Sequence, residues 1–302
     1  MKILVIGATG YAGSRVCAAL SREGHAVLGL TRDTASRAAR ALELAEVTPV
    51  AGDFAKPDTW RGHLDGADAV VHLLMDMADP YGGDQRLFAE LTTAQERYGR
   101  RGHLVYTTGI SSYGRTGSSL MDENTPGNPD SPLSFRFRLE QELAASGLPH
   151  TIVRPGFLYG GAATTSMTGQ WFAAAEAGKP VFYGDTGKRW SWVHVEDLAD
   201  AYVRILDNPA AVNGETFVIA DEQRLRALDV QTAAVRAAGH AGEIALAPVE
   251  DGGMMQTAAD QDELVTSAKV RRVLGWRPSH ASITDAIDLH YYRAWKAAQP
   301  NG

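Results

Sequence analysis

Residues 2–20 read KILVI, GATGYAG and SRVCAAL in succession. The first run is short, apolar and bounded by glycine, which is typical of a buried parallel strand. The third run places Val16 and Leu20 on one face of a helix, and Gly24 marks its end. A G-x-x-G-x-x-G turn separates the two runs. The sequence therefore predicts a strand, a glycine-rich loop and a helix.

Each glycine of the turn has a predicted role. Gly7 permits the tight turn, Gly10 lets backbone approach a pyrophosphate, and Gly13 lets the helix pack on the strand. Phosphates would lie at the helix N-terminus, where free N–H groups and the helix dipole favour an anion. A second apolar strand over 26–30 completes the context of a dinucleotide site. A glycine-rich turn of another α/β fold is the alternative interpretation.

The second strand is followed by Arg32, at the position that distinguishes the two nicotinamide cofactors. An NAD site places a carboxylate there against the ribose hydroxyls, whereas an arginine suits a 2′-phosphate. Arg32 therefore predicts NADPH (NADP) as the cofactor. A solvated surface charge is the alternative.

Composition limits the classes of protein. The 302 residues are 44% hydrophobic and 22% charged, and the net charge of −7 offers no basic field for nucleic acid. The chain opens directly on its first strand and has no apolar run long enough for a bilayer, so we expect neither a signal peptide nor a membrane partner. The single cysteine, Cys17, cannot form a disulfide within the chain, and the cytoplasm is the expected location. No Cys/His cluster predicts a metal site.

Strand and helix patterns alternate along the rest of the chain. Further strands are predicted at 69–74, 103–108, 151–153 and 215–219, with helices at 85–97, 133–146 and 195–206. This alternation predicts a parallel sheet with helices on both faces and ligands beyond the carboxyl ends of its strands. The predicted domains are a dinucleotide-binding core over 1–160, to which 190–220 returns, and a substrate-binding lobe over 161–189 and 221–302.

Motifs spread over nearly the whole chain carry a resemblance. They lie at 7–13, 70–73, 105–108, 112–114, 139–142, 153–160, 192–202 and 274–278. With these motifs the chain resembles the extended short-chain dehydrogenase/reductases of the epimerase/dehydratase branch. The resemblance implies an α/β fold, a Rossmann-type doubly wound parallel sheet with a smaller C-terminal substrate-binding lobe.

The resemblance also implies a set of cofactor contacts. Asp53 and Phe54 resemble the family's adenine contact, and Arg138 would donate to ribose hydroxyls. The full set is Gly7, Thr9, Gly10, Tyr11, Ala12, Gly13, Arg32, Asp53, Phe54, Leu73, Leu74, Thr107, Thr108, Arg138, Pro155, Gly156, Phe157 and Leu158.

The family's catalytic triad is absent from its expected positions. In the family a Ser or Thr bonds the carbonyl, a Tyr donates the proton, and a Lys lowers the pKa of that Tyr. Motif spacing places these three positions at Gly109, Ser134 and Arg138, and a slip of one residue would put Thr108 in the first role. Ser134 is too short and too weak an acid, and an arginine cannot relay a proton.

Two other tyrosines are weak candidates for the acid. Tyr113 and Tyr159 are predicted in loops that border the nicotinamide, and Tyr81 lies in a nearby loop. Packing or substrate contact is the alternative role for each of them.

The predicted lobe is rich in side chains that suit a flat apolar ligand. They are Met167, Trp171, Phe172, Phe182, Tyr183, Trp190, Met254 and Met255. Packing of the lobe would explain them equally well. Lys179, Lys188 and Arg189 leave a sugar-diphosphate ligand open.

The favoured hypothesis is NADPH-dependent reduction of a ketone on a bulky aromatic, polyketide-like substrate. The chain is similar in this respect to the angucyclinone ketoreductases of the simocyclinone type, enzymes of antibiotic biosynthesis that also lack the triad. The substrate's own phenol would polarise the carbonyl in place of the missing residues. A nucleotide-sugar epimerase/dehydratase and a non-catalytic NADP(H) sensor are the alternatives. The oligomeric state is left open.

Overall fold

The computed structural model describes residues 1–99, 102–114, 117, 119–163 and 166–299. Its strands are β1 (Lys2–Ile6), β2 (Ala26–Thr31), β3 (Thr48–Ala51), β4 (Ala69–His72), β5 (His103–Thr107), β6 (His150–Pro155), β7 (Phe157–Tyr159), β8 (Val181–Tyr183), β9 (Arg189–His194), β10 (Glu215–Ile219), β11 (Arg224–Arg226) and β12 (Ala245–Ala247). Its α-helices are α1 (Tyr11–Arg22), α2 (Arg37–Glu43), α3 (Pro80–Tyr98), α4 (Phe135–Ala145), α5 (Met167–Glu176), α6 (Val195–Asp207), α7 (Ala227–Ala237), α8 (Gly253–Ala258), α9 (Ala268–Leu274), α10 (Ile283–Ala286) and α11 (Tyr292–Ala297). Short 3-10 helices lie at Pro57–Thr59, Arg61–Leu64, Ile110–Tyr113 and Val249–Gly252, and a π-helical segment at Ile287–Tyr291.

The central sheet has seven strands in the order β10-β6-β5-β4-β1-β2-β3. The neighbouring pairs from β3 to β6 are parallel, and Val5 of β1 lies between Gly29 of β2 and Val71 of β4. Chain order reverses between β1 and β4, which is where doubly wound sheets bind ligands beyond the strand ends. The predicted fold class is confirmed.

The strand predictions are close, and the differences have local causes. β4 ends at His72 rather than at residue 74, and the last bond of its ladder with β1 runs from the Leu73 N–H to the Ile6 carbonyl. α3 begins at Pro80, five residues before the predicted start. Its first turn contains two glycines, which disfavour helix, but Asp79 caps it by accepting the Gly82 N–H at 3.0 Å.

The chain divides into two compact units. Unit 1 comprises Met1–Thr108, Phe135–Arg154 and Leu198–Phe217, and unit 2 comprises Gly109–Ser134, Pro155–Asp197 and Val218–Gly302. These units differ from the predicted domains, since 109–134, 155–160, 190–197 and 218–220 group with unit 2. Segment 109–134 does so because Ser111 bonds Glu263 and Met121 pairs with Val265. Unit 2 is therefore not the smaller of the two.

Each unit has its own hydrophobic core. In unit 1, residues of β1, β4 and β5 pack against α3 and α4, with Ile6, Leu87 and Leu139 fully buried. In unit 2, an aromatic cluster that includes Trp190 and Trp192 packs against α5, α7 and the C-terminal helices. Among the helices of the described ranges, none has the length and apolar composition needed to cross a membrane.

Candidate functional site

The glycine-rich turn has the geometry that its sequence predicts. Gly7 has a φ of +88°, and a Cβ there would lie 2.9 Å from the Leu73 carbonyl. A Cβ on Gly13 would lie 2.0 Å from the Gly7 carbonyl oxygen, so α1 approaches β1 too closely for any side chain. The predicted turn and packing roles of Gly7 and Gly13 agree with these distances.

The N-terminus of α1 is suited to bind an anion. Its N-cap is Gly10, whose extended backbone brings no side-chain cap, and no acidic residue lies in the first turn. The Gly10 N–H donates to the Gly7 carbonyl at 2.9 Å, which closes the turn. Tyr11, Ala12 and Gly13 occupy the first helical positions, where N–H groups lack intrahelical acceptors. This end of α1 fits a pyrophosphate.

A cleft of about 380 Å³ opens in unit 1 beside the turn. It is lined by Ile6, Gly7, Thr9, Leu30, Thr31, Arg32, Gly52, Asp53, Phe54, Ala55, Leu74, Met75, Asp76 and Met77. Six of these residues were predicted as cofactor contacts: Gly7, Thr9, Arg32, Asp53, Phe54 and Leu74. The 75–77 stretch was missed, because nothing in its sequence marks it as cleft wall rather than loop.

The cleft combines a polar and an apolar wall. Arg32 is exposed and makes no hydrogen bond or ion pair with the residues that the structure describes. Asp53 accepts the Ala55 N–H at 3.2 Å and lies 3.7 Å from Lys56. Phe54 is only 7% exposed and lies 5.2 Å from the His72 ring, so it belongs mainly to the core. The free guanidinium at this position fits a 2′-phosphate.

The two threonines at the end of β5 have their hydroxyls engaged. Thr107 Oγ1 lies 2.5 Å from the Tyr202 hydroxyl. Thr108 is buried and donates to Glu140 Oε1 at 2.6 Å. Thr108 is the alternative for the family's carbonyl-binding position, and its hydroxyl proton is therefore already donated in a hydrogen bond to Glu140.

Arg138, the predicted ribose anchor, lies on the outer face of α4. Its Nη2 donates to the Tyr81 hydroxyl at 3.2 Å, and the guanidinium lies over the Tyr81 ring. The same hydroxyl donates to Glu142. Arg138 is exposed and occupied by this surface cluster.

Arg136 is the arginine that α4 directs inward. Its Nη1 donates to the Thr108 carbonyl, and its Nη2 lies 3.0 Å from the Met75 sulfur. Its Nε is buried without a hydrogen-bond partner in the described part of the chain. A half-buried arginine with a spare N–H, beside a residue of the cleft wall, fits a ligand that offers hydroxyl acceptors.

The inner face of α4 is fixed by a buried ion pair. Arg154 Nε donates to Glu140 Oε1 at 3.1 Å, both side chains are about 95% buried or more, and Arg154 also lies 4.4 Å from the Phe137 ring centroid. Glu140 follows Arg136 by one helical turn, so the two share a face. The sequence did not predict which face of α4 points inward, because phenylalanine and arginine alternate over 135–138 and the apolar periodicity of a helix is lost there.

The remaining candidate positions for the acid lie in unit 2. Ser134 lies just before α4, half-buried, and its N–H donates to the Ser131 carbonyl at 2.9 Å. Tyr113 is fully buried and its hydroxyl donates to the Asp122 carbonyl at 2.7 Å. Tyr159 is 1% exposed, donates to the Ala281 carbonyl at 2.7 Å, and has its pKa raised by burial. Gly109, before the 3-10 helix, carries no side chain.

The predicted contacts at 155–158 lie in unit 2, against its aromatic cluster. A Cβ on Gly156 would lie 2.7 Å from the Ser191 carbonyl oxygen, and its N–H donates to the Ile219 carbonyl at 2.9 Å. The Phe157 ring stacks on Trp190 with centroids 4.0 Å apart. Pro155 and Leu158 lie in β6 and β7.

Unit 2 holds a second cavity, of about 150 Å³, with aromatic walls and a buried ammonium. Its lining includes Trp171, Phe182 and Trp190. Lys188 is 1% exposed, donates to the Tyr183 carbonyl at 2.7 Å and to Asp260 at 3.3 Å, and lies 4.7 Å from the Phe182 ring. Burial lowers the pKa of Lys188, and Asp260 opposes that shift.

Within the described ranges one cluster of potential metal ligands appears, although the sequence predicted none. His194, Asp197 and His280 bring ligand atoms within 4.8 Å of one another. Asp197 accepts hydrogen bonds from Ser279 Oγ at 2.7 Å and from His280 at 2.8 Å. Burial alone would raise the pKa of the Asp197 carboxyl, but these hydrogen bonds outweigh it and lower the pKa. The contacts explain the cluster as a structural link within unit 2.

Comparison with known proteins decides the family. The model of the NAD dependent epimerase/dehydratase family matches residues 3–220. The chain belongs to this family. It is thus an NAD(P)-dependent enzyme of the oxidoreductase type, as the motifs predicted.

Individual relatives are distant. The chain is 29% identical to the NAD(P)H azoreductase of Xenophilus azovorans over 271 residues, 88% of this chain and 84% of the relative. It is 27% identical to the 3-diazoavenalumate denitrifying reductase of a Streptomyces species, over 95% and 99% of the two chains. The solved UDP-glucose 4-epimerase of Thermotoga maritima superposes with a TM-score of 0.81 at 18% identity, over 98% and 99% of the chains. That likeness shows the fold alone.

Proposed function

We propose that this protein is an NADPH-dependent ketoreductase acting on a bulky aromatic, polyketide-like ketone without the family's tyrosine acid. One observation carries the proposal. Motif spacing puts Ser134 at the tyrosine position, with a side chain too short and too weakly acidic for that role, and the inner face of α4 directs Arg136 toward Met75 of the cleft wall. Epimerases and dehydratases of this family rely on that tyrosine, so reduction is favoured over both.

Different residues of the chain would bind different parts of the cofactor. The N–H groups at the start of α1 would hold the pyrophosphate, Arg32 the 2′-phosphate, and Arg136 the ribose hydroxyls in place of Arg138. When bound, NADPH supplies the hydride. Arg136 carries a permanent charge and cannot exchange protons, so its role is to bind and orient.

The substrate class is supported by unit 2 and by the relatives. Trp171, Phe182 and Trp190 wall a cavity that suits aromatic rings, and Lys188 would favour a phenolate or another anionic group there. Two relatives are named for reductions, of azo and of diazo compounds. A carbonyl already hydrogen-bonded to the substrate's neighbouring phenol is polarised without a tyrosine.

NADPH oxidation with a defined panel tests the proposal. The panel holds a polycyclic aromatic ketone with a hydroxyl beside the carbonyl, an azo dye and UDP-glucose. We expect oxidation with the hydroxy ketone, and lower rates with the Arg136→Gln variant at limiting NADPH. Epimerisation of UDP-glucose would overturn the proposal in favour of the epimerase alternative. Tight NADPH binding without turnover of any compound would favour the sensor.

A further inference from the structure

A buried carboxylate lies in the core of unit 1, behind the cleft. Asp84 of α3 is 6% exposed. Its Oδ2 accepts the Tyr106 hydroxyl at 2.5 Å, whereas its Oδ1 is buried with no hydrogen-bond donor in the described part of the chain. This turn of α3 lies against the cleft wall, because a Cβ on the preceding Gly83 would lie 3.3 Å from both Phe54 and Asp76. A carboxylate in such a place needs a positive charge nearby.

His72 does not supply that charge. Its Nε2 lies 3.3 Å from Asp84 Oδ1, but neither ring nitrogen forms a hydrogen bond with the residues that the structure describes. Burial lowers the pKa of His72, Asp84 opposes the shift, and Arg136 adds to it. The imidazole is therefore neutral at pH 7. The Tyr106 hydroxyl contributes a hydrogen bond to Asp84 but no charge.

Arg136 is the cation that balances Asp84. Tyr106 of β5 donates to Asp84. Two residues further along the chain, the Thr108 carbonyl accepts Arg136 Nη1. The two charged groups therefore approach the same end of β5, Asp84 from α3 and Arg136 from α4. Burial lowers the pKa of the Arg136 guanidinium, and the charge of Asp84 is one of those that oppose the shift.

The charges on the inner face of α4 then form two pairs. Glu140, the other buried carboxylate at this end of β5, bonds Arg154 through both of its oxygens. That leaves Asp84 and Arg136 to balance each other in a medium of low dielectric constant, where Coulomb attraction is strong. A guanidinium that is balanced from the core side offers N–H donors to the cleft with little net charge. Such a donor suits neutral hydroxyls better than a phosphate.

We propose that Asp84 is a positioning residue that holds the Arg136 guanidinium at the cleft wall by charge, so that its N–H groups meet the ribose hydroxyls of the cofactor. The inference rests on the proposed function, in which Arg136 binds those hydroxyls. Asp84 is not among the residues that line the cleft, and it acts only through Arg136. The two arginines of the site then differ in role. Arg32 distinguishes the cofactors by its free charge, and Arg136 binds a part that NADPH and NADH share.

A double-variant cycle on cofactor binding tests this role. The variants are Asp84→Asn, Arg136→Gln and their combination. Asp84→Asn keeps the size of the side chain and should raise the Kd for NADPH about tenfold, with an equal factor for NADH. In the Arg136→Gln background the same substitution should change either Kd by less than about twofold. The control is Asp200→Asn, which removes a carboxylate of unit 1 that pairs with Arg204 at 2.6 Å and should leave both Kd values unchanged.

Melting temperatures measure the same charge pair without the cofactor. Each single variant leaves one charge unbalanced, so the double variant should melt at least as high as Asp84→Asn, and should fold even where Asp84→Asn alone does not. An unchanged Kd in Asp84→Asn, an equal loss in both backgrounds, a loss confined to NADPH, or a double variant that fails to fold would overturn the positioning role alone. Arg136→Gln with the affinity of the unmodified protein would instead overturn the proposed cofactor contact on which the role rests.

Discussion

The Arg138 guanidinium lies 4.8 Å from the centroid of the Tyr81 ring, on the outer face of α4. Residues two apart point to opposite faces of a helix, so Arg136 and Glu140 face inward, where the buried pair of Glu140 with Arg154 holds α4. We propose that Arg136, rather than the predicted Arg138, contacts the cofactor. A shift of two residues in one helix changes which arginine is expected to touch the cofactor.

Replacing Arg136 should weaken NADPH binding, and replacing Arg138 should not. A charge-assisted hydrogen bond is worth about 1.5–3 kcal/mol, so Arg136→Gln should raise the Kd for NADPH tenfold or more. Arg138→Gln removes an equal charge from the exposed face and is the matched control. Fluorescence titration gives both Kd values, and thermal melting of each variant checks the fold. A larger loss in Arg138→Gln would restore the original assignment.

Arg32 should determine the preference for NADPH over NADH. Arg32 lines the cleft of unit 1 and has no partner among the described residues. A bound 2′-phosphate would therefore interact with the full positive charge of its guanidinium. We expect Arg32→Glu to change the ratio of the two Kd values by tenfold or more, to the point of loss or reversal. Equal affinity of the unmodified protein for NADPH and NADH would contradict this role.

The fold was predictable because its signals are local. Glycine is required at position 7 by a positive φ and at position 13 by its close contact with the turn. Both requirements leave a glycine in the sequence, where it can be recognised. The site was predictable only where such backbone constraints hold. Arg136 faces inward together with Glu140, which forms the buried pair with Arg154. The sequence alone does not distinguish Glu140 from Glu142 as the buried glutamate, so it does not predict which face of α4 points inward.

The pairing of Ser111 with Glu263 was beyond sequence reasoning for a different reason. The two residues are 152 positions apart, and neither belongs to a motif that predicts the other. The same holds for the hydroxyls of Tyr113 and Tyr159. Sequence makes both weak candidate acids, and in the structure both hydroxyls donate to backbone carbonyls far along the chain or across a loop.

Glu263 should make stability depend on pH. Burial raises its pKa from 4.5 to about 8 in the folded protein, so folding takes up a proton between these values. The stabilisation is complete below the unfolded value and is lost as pH rises through about 8. Urea unfolding from pH 5 to 9 should show a steeper fall in the unmodified protein than in Glu263→Gln. Parallel curves would show that Glu263 is ionised in the folded state.

The substrate's own hydroxyl should matter to turnover. Methylating the phenol next to the reacting carbonyl removes the internal hydrogen bond that polarises it. The methyl ether should bind with similar affinity and lose most of its kcat, because Ser134, at the family's tyrosine position by motif spacing, is too short to replace that bond. Steady-state kinetics on the ketone and its methyl ether measure this loss. Equal kcat values would show that the protein polarises the carbonyl by itself.

Deuterium transfer in the Ser134→Ala variant tests the central claim most directly. The hydroxy ketone is incubated with NADPH carrying deuterium at the transferable position, and the product is analysed by mass spectrometry. The account predicts deuterium on the carbinol carbon at a rate within about tenfold of the unmodified protein, well short of the 10²–10⁴ that a positioned acid contributes. Normal NADPH binding with no label in the product, or a label that disappears only when Ser134 is removed, would contradict it.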